Sequence, residues 1–443
     1  MNCIPASRIH SRLRPEVGRI VNSLLLPCLA CCVACGAPAS EEQKSDDPLS
    51  YRVHYTVTPD PATGLLDVEL RLRQSRALLR EVTMRPNFAR MSGFDGNGDV
   101  AVGKELVTWK PPSSGGSLRW RVRVEHLRSG AGYDAWLGPE WGLFRAEDII
   151  PRARTRTRKG AVSKTRMSFE LPGNWSVVTQ YYGKNDRFNV KNPDRRFDQP
   201  AGWVVLGHIG VRRDTIAGVR VAVAGPTGNA VRRLEILAIL NWTLPELARL
   251  LPDLPRRLTI VSAGEPMWRG GLSAPQSLFV HAERPLISEN ATSTLLHEVV
   301  HITLGVIAAP GYDWIVEGLA EFYSLELLAR SGTISASRYQ SARAQQAAWS
   351  KEATSLCAEA STGSTTAFAV TVFANLDLDL RDKTNSKSNL DDVVRELADI
   401  RGPVDLSALS DIANRLAGGA PDALHIKNLP GCHTLTPTRT TSG

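Results

Sequence analysis

The stretch 294-TLLHEVVHITLG-305 holds two histidines, His297 and His301, four residues apart, with Glu298 directly after the first. Residues at that spacing share one helical face, with Cβ atoms about 5 to 6 Å apart, so both imidazoles can reach a single metal ion. Glu298 is turned by roughly 100° from His297 and can lean over an open coordination position, where a carboxylate can take a proton from zinc-bound water. Ser288 or Thr292 is the expected helix cap and Gly305 the expected stop.

The next segment extends the pattern. In 313-DWIVEGLAEFYS-324, Glu317 lies on a second apolar-periodic stretch that a short loop can bring back against the first. A zinc site needs a third protein ligand, and Glu317 can supply it. Glu321, one turn later, is placed to accept the spare N–H of a ligating histidine. Trp314, Ile315, Val316, Leu319 and Phe322 surround both glutamates, and carboxylates in such a setting need a partner. The expected cofactor is one Zn²⁺ per chain, held by His297, His301 and Glu317.

Working outward, residues 50–225 read with period two in "YRVHYTV", "LLDVELRLR", "LRWRVRVEHL", "RMSFEL" and "VRVAVAG", separated by turn signals such as "DPATG" and "PPSSGG". The expectation is a β-sandwich-like domain. After Pro226 the period lengthens: 229–251 reads as a helix that Pro255 ends, "RLTIVSA" and "SLFVHA" read as strands, and the chain beyond is nearly all helical to about residue 420. The fold class expected is therefore α+β multidomain, with a mixed α/β to all-α domain over 226–420 and a tail over 421–443.

The N-terminus has a different character. Arg8, Arg12, Arg14 and Arg19 precede 20-IVNSLLLPCLACCVAC-35, which is too short and interrupted to span a bilayer. Residues 1–35 thus read as a secretory segment, small residues before Cys35 resemble a lipidation site, and 36–49 read as a linker. Five of the seven cysteines fall in 1–35, leaving Cys357 and Cys432, and in an oxidising compartment two cysteines suggest one disulfide from the tail to an upstream helix. The net charge of +8 is modest for 443 residues. Its second concentration, Arg152 to Arg166, reads as a solvated hairpin, and export argues against a nucleic-acid partner. No P-loop or dinucleotide fingerprint occurs, and His208 and His281 read as strand histidines.

"HEVVH" followed by "WIVEGLAEFY" resembles the gluzincin zinc metallopeptidases, whose catalytic domain is thermolysin-like. The layout is most similar to the glycyl aminopeptidase branch, through the β-rich first domain, 270-GGLSAPQSLFV-280 and 377-DLDLRDKTNSKSNLDDVVREL-397. The resemblance implies peptide hydrolysis, with zinc on His297, His301 and Glu317, Glu298 as base, and a peptide or protein as substrate. Gly270, Gly271 and the strand 277–281 would bind extended peptide by edge addition. Two departures stand out. Ser273 occupies the place of a glutamate that holds the substrate's free amine, which argues against simple removal of N-terminal residues. The oxyanion tyrosine is missing from "TTAFAVTVFANLDLDLR", leaving Tyr312, Tyr323, His425 or His433 as substitutes. Two readings follow: an exported, lipid-anchored zinc peptidase of the cell envelope, or a catalytically impaired zinc-binding envelope lipoprotein that binds peptides or proteins.

Overall fold

The computed structural model describes residues 49–128, 132–191 and 197–432. The secretory segment, Cys35 and His433 lie outside these. The described residues form one compact unit.

Alternation builds the first half. In the strand Ser50–Asp60, Tyr51, Val53, Tyr55 and Val57 point inward while their neighbours face out. This strand is central in a seven-stranded sheet, between Val162–Phe169 and Leu65–Arg73. A four-stranded sheet, Ala153–Thr157, Leu79–Met84, Val107–Lys110 and Asp99–Val102, shares its core, in which Trp109 and Trp120 are fully enclosed. The buried Trp120 indole donates to the Ile149 carbonyl at 3.0 Å, at the end of the single turn α1 (Ala146–Ile149). A five-stranded sheet ordered Ser176–Thr179, Trp203–Gly207, Trp141–Arg145, Tyr133–Leu137, His126–Leu127 carries the chain toward the second half.

The basic run is not a hairpin. Its first arm, Ala153–Thr157, pairs with Leu79–Met84, and its second, Val162–Phe169, pairs with Ser50–Asp60 in a different sheet. The turn at Arg158–Ala161 crosses between the two sheets in which the arms pair.

The hairpin Ile209–Ile216 and Val219–Pro226 opens another five-stranded sheet, continued by Arg257–Ala263, Ser277–His281 and Gly271–Ala274. The change of sheet thus falls near residue 208, ahead of the change of period. Helix α2 (Arg233–Leu250) packs its Ile236, Leu240, Leu244 and Leu247 against one face of this sheet. It stops at Leu250 and not at Pro255: Pro252 forces Leu251 into extended conformation, with φ −123° and ψ 101°. Helices α3 (Thr294–Leu304), α4 (Asp313–Arg330), α5 (Ala336–Trp349), α6 (Ser364–Thr384), α7 (Leu390–Asp399) and α8 (Leu406–Ala417) complete the second core. Gly318 of α4 lies so close to α6 that an added Cβ would stand 2.5 Å from the Ala369 Cβ and 2.9 Å from the Phe373 ring.

Cys357 and Cys432 are joined by a disulfide, 75 residues apart. Cys357 sits in the loop between α5 and α6, not on a helix, because the stretch from Ala353 to Gly363 passes under the tail instead of continuing the helical period. No helix among the described residues is long and apolar enough to cross a membrane.

Candidate metal centre

Helix α3 begins at Ser293, whose hydroxyl accepts the Leu296 N–H at 3.3 Å. Ser288 and Thr292, the expected caps, instead bond each other at 2.8 Å and close the preceding turn. Gly305 ends the helix with φ 62°, a left-handed conformation that costs glycine little. Leu295, Leu296, Val299 and Val300 face the core, which turns His297 and His301 toward α4.

The histidines meet Glu317 there. His297 Nε2 is 3.0 Å from His301 Nε2 and 3.2 Å from Glu317 Oε2, and His301 Nε2 is 3.3 Å from Glu317 Oε1. One donor atom from each residue lies within 4.8 Å of the others. On its far side, His297 Nδ1 donates to Glu321 Oε2 at 3.1 Å, and Glu321 Oε1 accepts from the Gln346 amide at 3.3 Å. A carboxylate only accepts, so Nδ1 carries the proton and Nε2 of the neutral ring presents a lone pair to the cluster.

That lone pair faces another imidazole nitrogen and a carboxylate, so a proton or a cation must lie among them. With protons alone, burial disfavours charge on His297, but its hydrogen bonds to the Glu317 and Glu321 carboxylates outweigh it and push the imidazole up to about 10. Burial acts on Glu317 in the opposite sense to its two histidines, and they prevail, holding it at about 2. Donor separations of 3.0, 3.2 and 3.3 Å are close to the edge of about 3.3 Å expected for a tetrahedron with zinc bond lengths. Two imidazoles and a carboxylate are zinc-type donors, and the residues present fit that ion.

Glu298 is buried, 7% exposed, and burial raises its pKa above the usual carboxylate value. It packs on the backbone of Gly271: a Cβ there would stand 3.0 Å from Glu298 Cγ and 2.5 Å from Thr294 Cγ2. Ser273, two residues further along the same strand, lies near the Glu298 carboxylate and its hydroxyl opposes part of the effect of burial. Gly270 lies under the Trp268 ring, which leaves no room for a side chain. The open sheet edge belongs to Gly271–Ala274. Ser277–His281, expected to bind peptide by edge addition, is paired on both sides, because it lies between that strand and Arg257–Ala263. His281 is a buried strand residue, and His208 lies in the bend between two strands.

Gly270, Gly271, His297, Glu298, Glu317 and Glu321 line a cleft of ≈ 340 Å³, together with Arg284, Gln346, Trp349 and Thr366. Tyrosine is not among its lining residues. Tyr323 is fully buried and donates to Asp391 at 2.9 Å, and Tyr312 and His425 stand outside the lining. Thr366 reaches the cleft from the first turn of α6, in the segment where the tyrosine was sought. Gln346, Arg284 and Thr366 were not singled out from sequence, since each arrives from a separate element with no spacing signal.

No known family description matches the sequence, and no curated protein matches it. Solved structures do. An aminopeptidase N family protein from Idiomarina loihiensis superposes with a TM-score of 0.59 at 15% identity, covering 87% of this chain and 77% of that one. Native yeast LTA4 hydrolase gives 0.53 at 11%, over 87% of this chain and 68% of that one. Legionella pneumophila aminopeptidase A, in complex with aspartic acid, gives 0.53 at 10%, over 86% and 50%. The fold is that of the gluzincin metallopeptidases. That shared fold accounts for the order of parts seen here, a β domain followed by a mixed and then helical domain.

Proposed function

We propose that this chain is a zinc-dependent peptidase that hydrolyses peptide bonds, with His297, His301 and Glu317 holding one Zn²⁺ and Glu298 as general base. The observation that carries the proposal is Glu298, a buried carboxylate packed against Gly271 and lining the same cleft as the three-donor cluster. When bound, zinc polarises the scissile carbonyl and acidifies water. Glu298 takes the proton from the attacking water and passes it to the leaving nitrogen. Glu321 fixes the tautomer and orientation of His297, and Gln346 fixes Glu321. The edge strand Gly271–Ala274 receives an extended substrate backbone. Ser273 brings no negative charge for a free amine, so cleavage within chains is favoured over removal of single N-terminal residues.

The proposal includes place. The arginine-led apolar segment and Cys35 support export and lipid anchoring in the cell envelope, and the Cys357–Cys432 disulfide suits an oxidising compartment. A second reading, a zinc-binding envelope lipoprotein with impaired catalysis, is favoured by one observation: no tyrosine lines the cleft to stabilise an oxyanion.

The deciding experiment incubates an unbiased peptide mixture with zinc-loaded protein and with its Glu298→Gln variant. Cuts at internal positions that vanish in the variant are expected. A folded, zinc-replete protein that makes no cuts would instead establish the binding lipoprotein.

A further inference from the structure

The sheet opened by the hairpin Ile209–Ile216 and Val219–Pro226 has a second face, remote in sequence from the metal centre. Pairing places Arg213 opposite Ala222 and Thr215 opposite Arg220 across the hairpin, then Arg220 opposite Arg257 and Ala222 opposite Thr259 on the next strand. Side chains directly opposite share a face, and alternate residues along a strand do too. Arg213, Arg220 and Arg257 therefore project from one face, above a floor of Ala222 and Thr259. The intervening Val221, Val223, Leu258 and Ile260 point the other way, into the helical core.

Like charges directly opposite in a sheet destabilise it, and no acidic side chain pairs with any of these three arginines among the described residues. Asp214, the nearest acid in sequence, bonds the Thr215 N–H at 2.7 Å and the Asn241 amide at 3.4 Å. The arginines line a cavity of ≈ 680 Å³ walled by Val177, Thr179 and Tyr182. The Arg257 guanidinium lies 4.9 Å over the Tyr182 ring, although that ring remains 56% exposed. Three sheet edges also converge here: Ser176–Thr179, Tyr182–Lys184 and Ile209–Ile216 are each the outermost strand of their sheets.

We infer that this cavity is a docking site for an extended acidic peptide segment, separate from the metal centre. An extended chain lying in the cavity crosses the strands of this face, and the strand edges that border the cavity can pair with part of its backbone. Carboxylates along that chain meet Arg213, Arg220 and Arg257, which stand on three successive strands, with charge-assisted bonds that relieve the repulsion between the arginines. The occupant is a peptide because the exposed strand edges offer backbone partners as well as charge. Its source is a protein bearing a run of alternating acidic residues, as substrate or as partner.

The test uses the full chain and a rhodamine-labelled, end-blocked peptide of alternating Glu and Thr, with binding followed by fluorescence anisotropy and peptide intactness checked by mass. Binding is expected to weaken with rising salt, and to be absent for a Gln/Thr peptide. Arg220→Gln with Arg257→Gln is expected to weaken binding at least about tenfold while melting no lower than the parent, since a like-charge pair is removed. Arg213→Gln alone, on an exposed edge strand, is expected to weaken it by several fold and serves if the double variant fails to fold. The control pair Arg154→Gln with Arg158→Gln removes the same charge from a distant strand and its turn, and is expected to bind as the parent does. Equal weakening in the control pair, no binding at all, or tighter binding of a sulfated glycan fragment of matched charge would each overturn the inference.

Discussion

Gly271 sets the position of Glu298 through the absence of a side chain. An alanine there must displace Thr294 or Glu298, and overpacking of this kind typically costs about 1 to 3 kcal/mol. Gly271→Ala is expected to lower the melting temperature modestly and to reduce cleavage by far more than the lost stability explains, because the group displaced is the proposed base. Comparing melting curves with turnover at a temperature where both proteins are folded checks this. Glu321 acts differently, through the tautomer of His297. Glu321→Ala frees His297 Nδ1 and strands the Gln346 amide, and loss of such a partner commonly weakens metal binding about 10- to 100-fold. Competition against a zinc chelator reads that directly; an unchanged affinity would remove Glu321 from the site.

At the scale of elements, Ser293 caps a helix that carries both histidines, so its loss is felt at the cluster. Ser293→Ala is expected to cost about 1 kcal/mol and to reduce zinc affinity, whereas Asn389→Ala, which breaks the capping box of α7 away from the cleft, is expected to cost a similar amount and leave zinc affinity alone. Denaturant unfolding paired with metal competition separates the two. These elements were largely legible in the sequence. The strand at 65–73 and the helices from 294 onward follow their hydrophobic period, and both histidines and Glu317 follow from spacing on two helices that a short loop joins. What was not legible depends on pairing between distant segments. The arms of the basic run alternate as a hairpin would, yet each pairs with a strand far away. Which strand of Gly271–Ala274 and Ser277–His281 has the open edge is decided by Arg257–Ala263, and no local pattern records that choice. Gln346 is one glutamine in a polar helix until α5 packs beside Glu321.

For the whole molecule, the Cys357–Cys432 bridge closes a loop spanning 75 residues around α6, α7 and α8. Removing a cross-link of this length typically costs about 2 to 4 kcal/mol, mainly through the unfolded chain. Replacing both cysteines with serine is expected to lower the denaturation midpoint while leaving zinc affinity of the folded protein within about twofold, since neither sulfur lies on the cleft. A large loss of zinc affinity at full folding would show that α6 depends on the bridge for its placement.

The close approach of α4 to α6 at Gly318 has a consequence for how such chains are traced by signature. The string Glu317-Gly318 joins two demands in neighbouring letters: the glutamate is answerable to the metal cluster, and the glycine to the Ala369 and Phe373 side chains that leave it no space for a methyl group. The two can erode independently under drift. A descendant that abandons chemistry while keeping its helices will still spell the glycine, and a search keyed to the whole string will then report ancestry of shape where it is taken to report activity.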